Sequence, residues 1–294
     1  MRPIKIYTDS TSDLGKDLLT KYNISYFVMK TVYKGVETDA RLEWDNVTPK
    51  SFYDILRDPS NSRVTTAQVP LTDFTKVLNE EVKNGNDVIY IACSSALSGS
   101  YNSARLVSED ILKEHPGAKI RIIDSLRAIL AEGILAIKAA ELVKENKTID
   151  EIADYIESIK NTAWEYVTVN NLDSLKKAGR VKPSKAFFGN LLGLKPILTS
   201  NVNGENVAIK KAKGRLNSFK ELIACCKEKV IDPEKQTLYI AHADCINDAE
   251  KLKQMVLEEI KFKDVYVNYM GPIIGTSLGA DSIGLFFLGK EIKE

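Results

Sequence analysis

Hydroxyl side chains gather where a buried strand runs into a helix in the first half of the chain. The segment from Val88 to Ala104 begins as an apolar strand and then places Ser94, Ser95, Ser98 and Gly99 ahead of the helix. A helix start offers free backbone N–H groups and the positive end of the helix dipole. The hydroxyl groups add further neutral donors. This arrangement predicts a site for the small anionic or polar head of a ligand.

Three other strand or loop ends in the first half also carry spare hydroxyl groups. They are Asp9 to Ser12, which includes Ser10; Thr65 with Thr66; and Asp124 with Ser125. A helix N-cap explains one such residue at each place, but not all of them. The carboxyl ends of parallel strands meet at one edge of a sheet, which favours a shared pocket. Each hydroxyl donor to a carboxylate contributes about 1.5–3 kcal/mol, so two or three can hold an acid without a lysine or arginine.

The order of strands and helices predicts an α/β protein of two α/β domains. Strands alternate with helices up to about Asn161, which indicates a parallel, doubly wound sheet. We place the boundary there, giving domains 1–161 and 162–294. The Asn203-Gly204 turn indicates a hairpin and therefore a mixed sheet in the second domain.

Several local elements follow from the same patterns. We predict one strand from Ile24 to Val32, a helix from Pro183 to Leu192 and a loop from Gly271 to Asp281. Ser12 or Asp13 would cap the first helix.

Composition and missing motifs exclude several classes of protein. The chain has 294 residues, 44% of them hydrophobic and 28% charged, a net charge of +1, and no apolar run as long as a membrane span. The start of the chain enters a strand directly and the four cysteines form no C-x-x-C pair, so we expect a cytoplasmic protein. Neither standard nucleotide motif is present, and we expect no cofactor and no metal.

Two alternatives remain open from the residues. A serine esterase would use Ser95 or Ser98 as nucleophile with His242 as base, although no G-x-S-x-G motif surrounds either serine. Nucleic-acid binding would use the segment from Ser174 to Phe219, which holds ten basic residues and one acid, Glu205. Few stacking aromatics are interleaved there, and we expect no nucleic-acid partner.

Apolar residues of the second half could cover the rest of a ligand. The segment from Phe187 to Gly193 is apolar nearly all round, as a helix between two domains or along a tunnel would be. The candidates for this lining are Phe187, Phe188, Leu191, Ile197, Ile274 and Leu278.

Seven segments together resemble the DegV family of bacterial fatty-acid-binding proteins, in the same order along nearly the whole chain. They are Ile6 to Leu14, Thr66 to Gln68, Ser94 to Ala104, Leu175 to Val181, Gly189 to Leu192, His242 to Asp244 and Gly275 to Gly279. The resemblance implies two α/β domains with a long acyl chain, such as palmitate, in a tunnel between them. It also implies a role in fatty acid metabolism and, in some members, presentation of the carboxylate to a fatty acid kinase. A sixteen-carbon acid would bury roughly fifteen methylene-type groups, worth about 12 kcal/mol before ordering costs.

The resemblance also implies a set of head-group residues. Thr66, Ser95 and Ser98 match the residues that hold the carboxylate, and Ser94 and Ser277 would assist them. The residues expected to orient or surround this group are Asp9, Ser10, Thr65, Lys213 and Thr276. The sequence departs from the family pattern where Ser277 replaces a histidine, Lys213 replaces an arginine and Val69-Pro70 replaces Pro-Ser. Ser277 can donate a hydrogen bond but carries no charge.

Overall fold

The first half of the chain forms a parallel sheet covered by helices. The computed structural model describes residues 2–58, 64–170, 173–181 and 193–293. The strands of the first half are β1 Ile4–Asp9, β2 Ile24–Phe27, β3 Lys30–Tyr33, β4 Val36–Asp39, β5 Thr65–Ala67, β6 Asp87–Ala92 and β7 Ile120–Asp124. The helices are α1 Lys16–Tyr22, α2 Pro49–Arg57, α3 Leu71–Lys83, α4 Ser100–Glu114, α5 Ile129–Lys144 and α6 Ile149–Ile159.

The main sheet of this half has the order β2-β1-β6-β7, and all of its neighbouring strands are parallel. Strand β6 is buried along its whole length, as expected for a central strand covered on both faces. Its carboxyl end leads into the serine-rich loop before α4. The predicted parallel α/β arrangement is confirmed.

A second, smaller sheet corrects the prediction of one strand from Ile24 to Val32. Strand β2 ends at Phe27, and the next strand, β3, pairs antiparallel with β4 and β5 in the smaller sheet. The backbone N–H of Met29 donates to Ser10 Oγ between β2 and β3, which removes Met29 from the ladder of the first sheet. Strand β5 carries Thr66 opposite Thr31 of β3.

The second half forms a mixed sheet. Its strands are β8 Ala163–Thr168, β9 Leu194–Ser200, β10 Asn206–Lys213, β11 Thr237–His242, β12 Asp264–Tyr269 and β13 Ile283–Leu288. Among the described residues, its helices are α7 Asp173–Ala178, α8 Arg215–Lys229, α9 Ile246–Glu259 and α10 Pro272–Leu278, and the 3-10 turns are Lys160–Thr162 and Pro233–Lys235. The strand order is β10-β9-β8-β13-β11-β12, with only β11 and β12 parallel. The predicted mixed sheet and the β9–β10 hairpin are confirmed, whereas the boundary at residue 161 stays a prediction.

Two predictions at helix ends are wrong. The segment Pro272–Leu278 is helical rather than a loop, because Pro272 occupies the first turn and Gly279, at φ 84°, ends the helix. The N-cap of α1 is Gly15, not Ser12 or Asp13, and no side chain caps that helix. The helix predicted from Pro183 lies outside the described residues.

Gly204 lets the β9–β10 turn press against the first half of the chain. It has φ +74°, and a Cβ atom would lie 2.2 Å from Ser94 Oγ and 3.0 Å from Leu126 Cα. Ser94 Oγ also donates to the Gly204 carbonyl at 2.8 Å. The turn therefore connects the second sheet to the serine-rich loop.

We expect Gly204→Ala to lower the free energy of unfolding by about 2 kcal/mol or more, because it adds both a backbone penalty and a clash. Gly35→Ala is the matched control, since Gly35 has φ +79° but no atom within 4 Å of the added Cβ. The control should lose only the backbone part, about 1 kcal/mol. Chemical denaturation measures both, and equal losses in the two variants would contradict the close contact.

Candidate functional site

A cavity of about 170 Å³ lies between the two halves of the chain. Its walls come from β5, the loop after β6, the start of α5, strands β8 to β10 and helix α10. The described residues that line it are Thr11, Met29, Thr66, Ala67, Gln68, Cys93, Leu97, Ser98, Gly99, Ala128, Ile129, Glu165, Val167, Arg180, Leu198, Thr199, Asn206, Ile273, Ile274, Ser277 and Leu278. The lining surface is mostly apolar, as in ligand sites generally, and nine of its residues carry polar or charged side chains.

Thr66 and Ser98, two of the predicted head-group residues, both line this cavity. The Thr66 hydroxyl has no hydrogen-bond partner among the described residues. Ser98 Oγ donates to Ser100 Oγ at 3.1 Å and accepts from the N–H of Ser100, the first residue of α4, whose N-cap is Gly99. The N–H of Gly99 has no acceptor within the described part of the chain. These donors lie at the N-terminal end of a fifteen-residue helix, where the dipole favours an anion.

Gln68, the residue after β5, packs against the start of α4. Its Nε2 donates to Ser103 Oγ at 3.2 Å, and its Oε1 lies only 2.1 Å from where a Cβ of residue 99 would be. Only glycine at position 99 leaves room for this contact without moving Gln68. The Gly99–Gln68 contact thus packs the end of β5, the strand that carries Thr66, against the start of α4.

Other predicted head-group residues lie elsewhere. Ser94 is buried and uses its hydroxyl to hold Gly204, while Ser95 is exposed and donates its backbone N–H to Asp124 Oδ1. Thr65 is exposed at the start of β5. None of these three is among the described lining residues. Their assignment depended on sequence position, which does not reveal where each hydroxyl points.

The remaining predicted polar residues lie on α10 and β10. Ser277 lines the cavity, and its hydroxyl donates to the Ile273 carbonyl at 3.1 Å. Thr276 donates to the Pro272 carbonyl one turn earlier in the helix. Lys213 is exposed at the end of β10, outside the described lining.

Two of the predicted apolar residues, Ile274 and Leu278, line the cavity. Ile197 instead packs in a second hydrophobic core with Trp164 and Phe219. The reason is strand alternation: Leu198, the next residue of β9, faces the cavity, so Ile197 faces the opposite side of the sheet. Phe187, Phe188 and Leu191 lie outside the described residues.

Asp9 and Ser10 do not line the cavity among the described residues, but they accept hydrogen bonds from residues that do. Asp9 accepts hydrogen bonds from both the N–H and the hydroxyl of Thr11 and, at 3.1 Å, from the N–H of Cys93. Ser10 Oγ accepts from the Met29 N–H at 2.9 Å. Thr11, Cys93 and Met29 all line the cavity. The contacts suit the orienting role predicted for Asp9 and Ser10, which stays a prediction.

A second buried carboxyl group lies beside Asp9. Thr11 Oγ1 is 2.6 Å from both Asp9 Oδ1 and Glu132 Oε2, and Thr8 Oγ1 donates to Glu132 Oε1 at 2.5 Å. Thr11 has one hydroxyl proton, so one of the two carboxyl groups must be protonated and donate to it. Burial, with the negative charge of Asp9, raises the pKa of Glu132 well above its ordinary value. Asp9 accepts more hydrogen bonds, so we assign the proton to Glu132.

We expect Glu132→Gln to flatten the dependence of stability on pH. A carboxyl group with a raised pKa binds more protons folded than unfolded, so its contribution to stability falls as pH rises above the unfolded pKa of about 4.3. The slope is at most about 1.4 kcal/mol per pH unit for one group. Glutamine reproduces the neutral form, with its amide donating to Thr11 and its oxygen accepting from Thr8. Stability should match the parent at or below about pH 4 and exceed it at pH 8.

Urea denaturation across this pH range measures the effect. Glu145→Gln is the control, because Glu145 is exposed at the end of the same helix. A slope for Glu132→Gln equal to that of the parent would contradict the assignment of the proton.

Two charged lining residues were not among the predicted site residues. Arg180 is exposed at the rim of the cavity, where Nε donates to the Leu97 carbonyl at 3.4 Å and Nη1 to the Ala178 carbonyl at 2.6 Å. Glu165 is buried on β8, shares a hydrogen bond with Ser200 Oγ and accepts another, at 3.2 Å, from the Ala128 N–H. Arg180 lies in the segment from Leu175 to Val181 that resembles the family, and Glu165 is a single acid within an apolar strand. Either pattern could indicate a site residue.

His242, the base of the esterase alternative, lies apart from the described lining. It is buried at the end of β11, and its Nδ1 accepts the Cys245 N–H at 3.2 Å. Burial lowers the pKa of His242 to about 4. No described contact joins it to Ser95 or Ser98, so the described residues do not form the pair which that mechanism requires.

The comparison with known families rests on the whole chain. The model of the DegV family, described as a family of uncharacterised proteins, matches residues 3–290. The chain belongs to the DegV family. A DegV domain-containing protein of Clostridium perfringens is 38% identical over 297 residues and covers all of both chains.

Solved structures of other DegV proteins share the fold. A DegV family protein from Thermus thermophilus, described by its fatty acid binding, is 26% identical with a TM-score of 0.86, over 99% of this chain and 100% of that one. DegV from Bacillus subtilis, a fatty acid binding protein, is 28% identical with a TM-score of 0.84, over 99% of this chain and 100% of that one. The two-domain α/β fold predicted from the sequence is therefore confirmed.

Proposed function

We propose that this protein binds a long-chain fatty acid, such as palmitate, without catalysis of its own. The observation that carries the proposal is the cavity between the two halves, where neutral donors at one helix end meet apolar walls. The fatty acid binding of the Thermus and Bacillus relatives supports it.

The carboxylate would accept hydrogen bonds from the hydroxyls of Thr66 and Ser98 and from the Gly99 N–H. Ser277 could add a third hydroxyl donor if its hydrogen turns from the Ile273 carbonyl to the ligand. Arg180 at the rim would supply the positive charge that a serine at position 277 cannot. The α4 dipole adds to the same effect.

The acyl chain would lie between the two sheets. Val167 and Leu198 face the cavity from the second sheet, and Ile273, Ile274 and Leu278 face it from α10. Each buried methylene contributes about 0.8 kcal/mol, so the chain would supply most of the affinity and the head would fix its direction.

We further propose that the bound acid is presented to a fatty acid kinase in the cytoplasm, as part of fatty acid metabolism. Arg180 at the cavity rim supports this, because a guanidinium suits the phosphate of an acyl phosphate product. All four cysteines are free thiols, which suits a reducing compartment. Among the described helices, none is long and apolar enough to cross a membrane.

Native mass spectrometry of protein purified from a bacterial host tests the main proposal. We expect a bound species with the mass of a sixteen- to eighteen-carbon acid, roughly the chain that buries fifteen or so methylenes. Protein that carries no acid and also fails to bind added palmitate in calorimetry would contradict the proposal. Formation of acyl phosphate from the loaded protein, ATP and a fatty acid kinase tests the presentation step.

A further inference from the structure

A row of polar side chains crosses three strands on the face of the second sheet that borders the cavity. Val167 of β8 lies opposite Leu198 of β9, so the antiparallel register places Glu165 opposite Ser200. Asn206 of β10 pairs with Ser200 on its other side. Glu165 and Asn206 line the cavity directly. The row is thus Glu165, Ser200 and Asn206, set among apolar lining residues.

The hydrogen bonds of this row fix which atoms remain for a ligand. Ser200 Oγ is bonded to Glu165 Oε1 and lies 3.1 Å from Asn206 Oδ1. Ser200 has one hydroxyl proton, and burial raises the pKa of Glu165, so a protonated Glu165 can donate to Ser200 while Ser200 donates to Asn206. In this arrangement Ser200 Oγ accepts one hydrogen bond and donates another, and Asn206 Oδ1 accepts one. The Asn206 amide nitrogen then has no acceptor among the described residues.

We infer that the Asn206 amide forms a second polar subsite, which accepts an oxygen carried on the acyl chain itself, as in a hydroxylated or oxo fatty acid. The inference deepens the proposed function and rests on it. A plain hydrocarbon would leave the amide nitrogen facing an apolar group, whereas a chain oxygen would accept its hydrogen bond. An oxygen that faces only apolar lining residues would be buried without a partner, which lowers affinity about tenfold or more.

The test compares octadecanoic acid with a series of hydroxyoctadecanoic acids that carry the hydroxyl at different carbons, measured by calorimetry. We expect one position to bind at least as tightly as octadecanoic acid and the other positions to bind about tenfold more weakly. Asn206→Leu should weaken the preferred isomer about tenfold and leave octadecanoic acid within about threefold. Asn206→Ala, which removes the amide without adding bulk or charge, should do the same if the leucine variant does not fold.

Three results would overturn the inference. Equal weakening of every hydroxyl isomer in the parent protein would mean that no chain oxygen is accepted. An equal loss for both kinds of acid in the Asn206 variants would place the amide at the carboxylate instead. If octadecanoic acid itself does not bind, the proposed function fails and this inference fails with it.

Discussion

The double variant Thr66→Val with Ser98→Ala should bind palmitate about a hundredfold more weakly than the parent. Thr66 of β5 and Ser98, just before α4, both line the cavity, and the Thr66 hydroxyl has no partner among the described residues. Each lost bond to a carboxylate removes about 1.5–3 kcal/mol, and valine keeps the shape of threonine. Calorimetry with palmitate measures the loss.

Ser95→Ala is the matched control for this experiment. Ser95 belongs to the same serine-rich loop but is exposed and outside the described lining, so its removal should leave affinity within about twofold of the parent. Methyl palmitate gives a second check, because its uncharged head should lose little between parent and double variant. If Ser95→Ala weakened binding as much as the double variant, the carboxylate would lie elsewhere on the loop.

Ala67→Trp should reduce affinity for palmitate by more than about a hundredfold, through the acyl chain rather than the head. Ala67 is a small lining residue of β5, and an indole there would occupy much of a cavity of about 170 Å³. Exclusion of four methylenes alone would remove about 3 kcal/mol. Binding of octanoate, whose shorter chain needs less space, should be reduced less than binding of palmitate.

Thr65→Trp is the control, because Thr65 begins the same strand but is exposed and outside the described lining. It should bind both acids as the parent does. Calorimetry with acids of eight to sixteen carbons, about the range over which buried methylenes accumulate, measures the dependence on chain length. An equal loss at every length would mean that Ala67 contacts the head group, not the chain.

Patterns confined to neighbouring residues predicted most of the fold. The alternation of strands and helices indicated the parallel sheet, and Asn203-Gly204 indicated the hairpin, because both depend on local backbone preferences. Strands β3 and β5 have only four and three residues, too few for a clear period. Helix α10 is short and apolar, and its flanking glycines and Pro272 also suit a loop.

The sequence predicted the kind of chemistry at the candidate site better than it predicted which residues line the cavity. Thr66, Ser98 and Ser277 do line one cavity. Ser94 does not, because its hydroxyl bonds to Gly204, a partner 110 positions along the chain that no local pattern reveals. Arg180 lies in a segment that resembles the family, but the sequence does not show that its side chain reaches the rim of the cavity.

The position of the cavity has a thermodynamic consequence. Its walls belong to both sheets, so a molecule held there would contact the two halves at once and would be released when either half unfolds. Lipid at a thousandfold excess over its dissociation constant would then add about 4 kcal/mol to the free energy of unfolding. The melting temperature of a preparation would consequently report how many of its molecules are filled, and stripping the lipid would loosen both halves together.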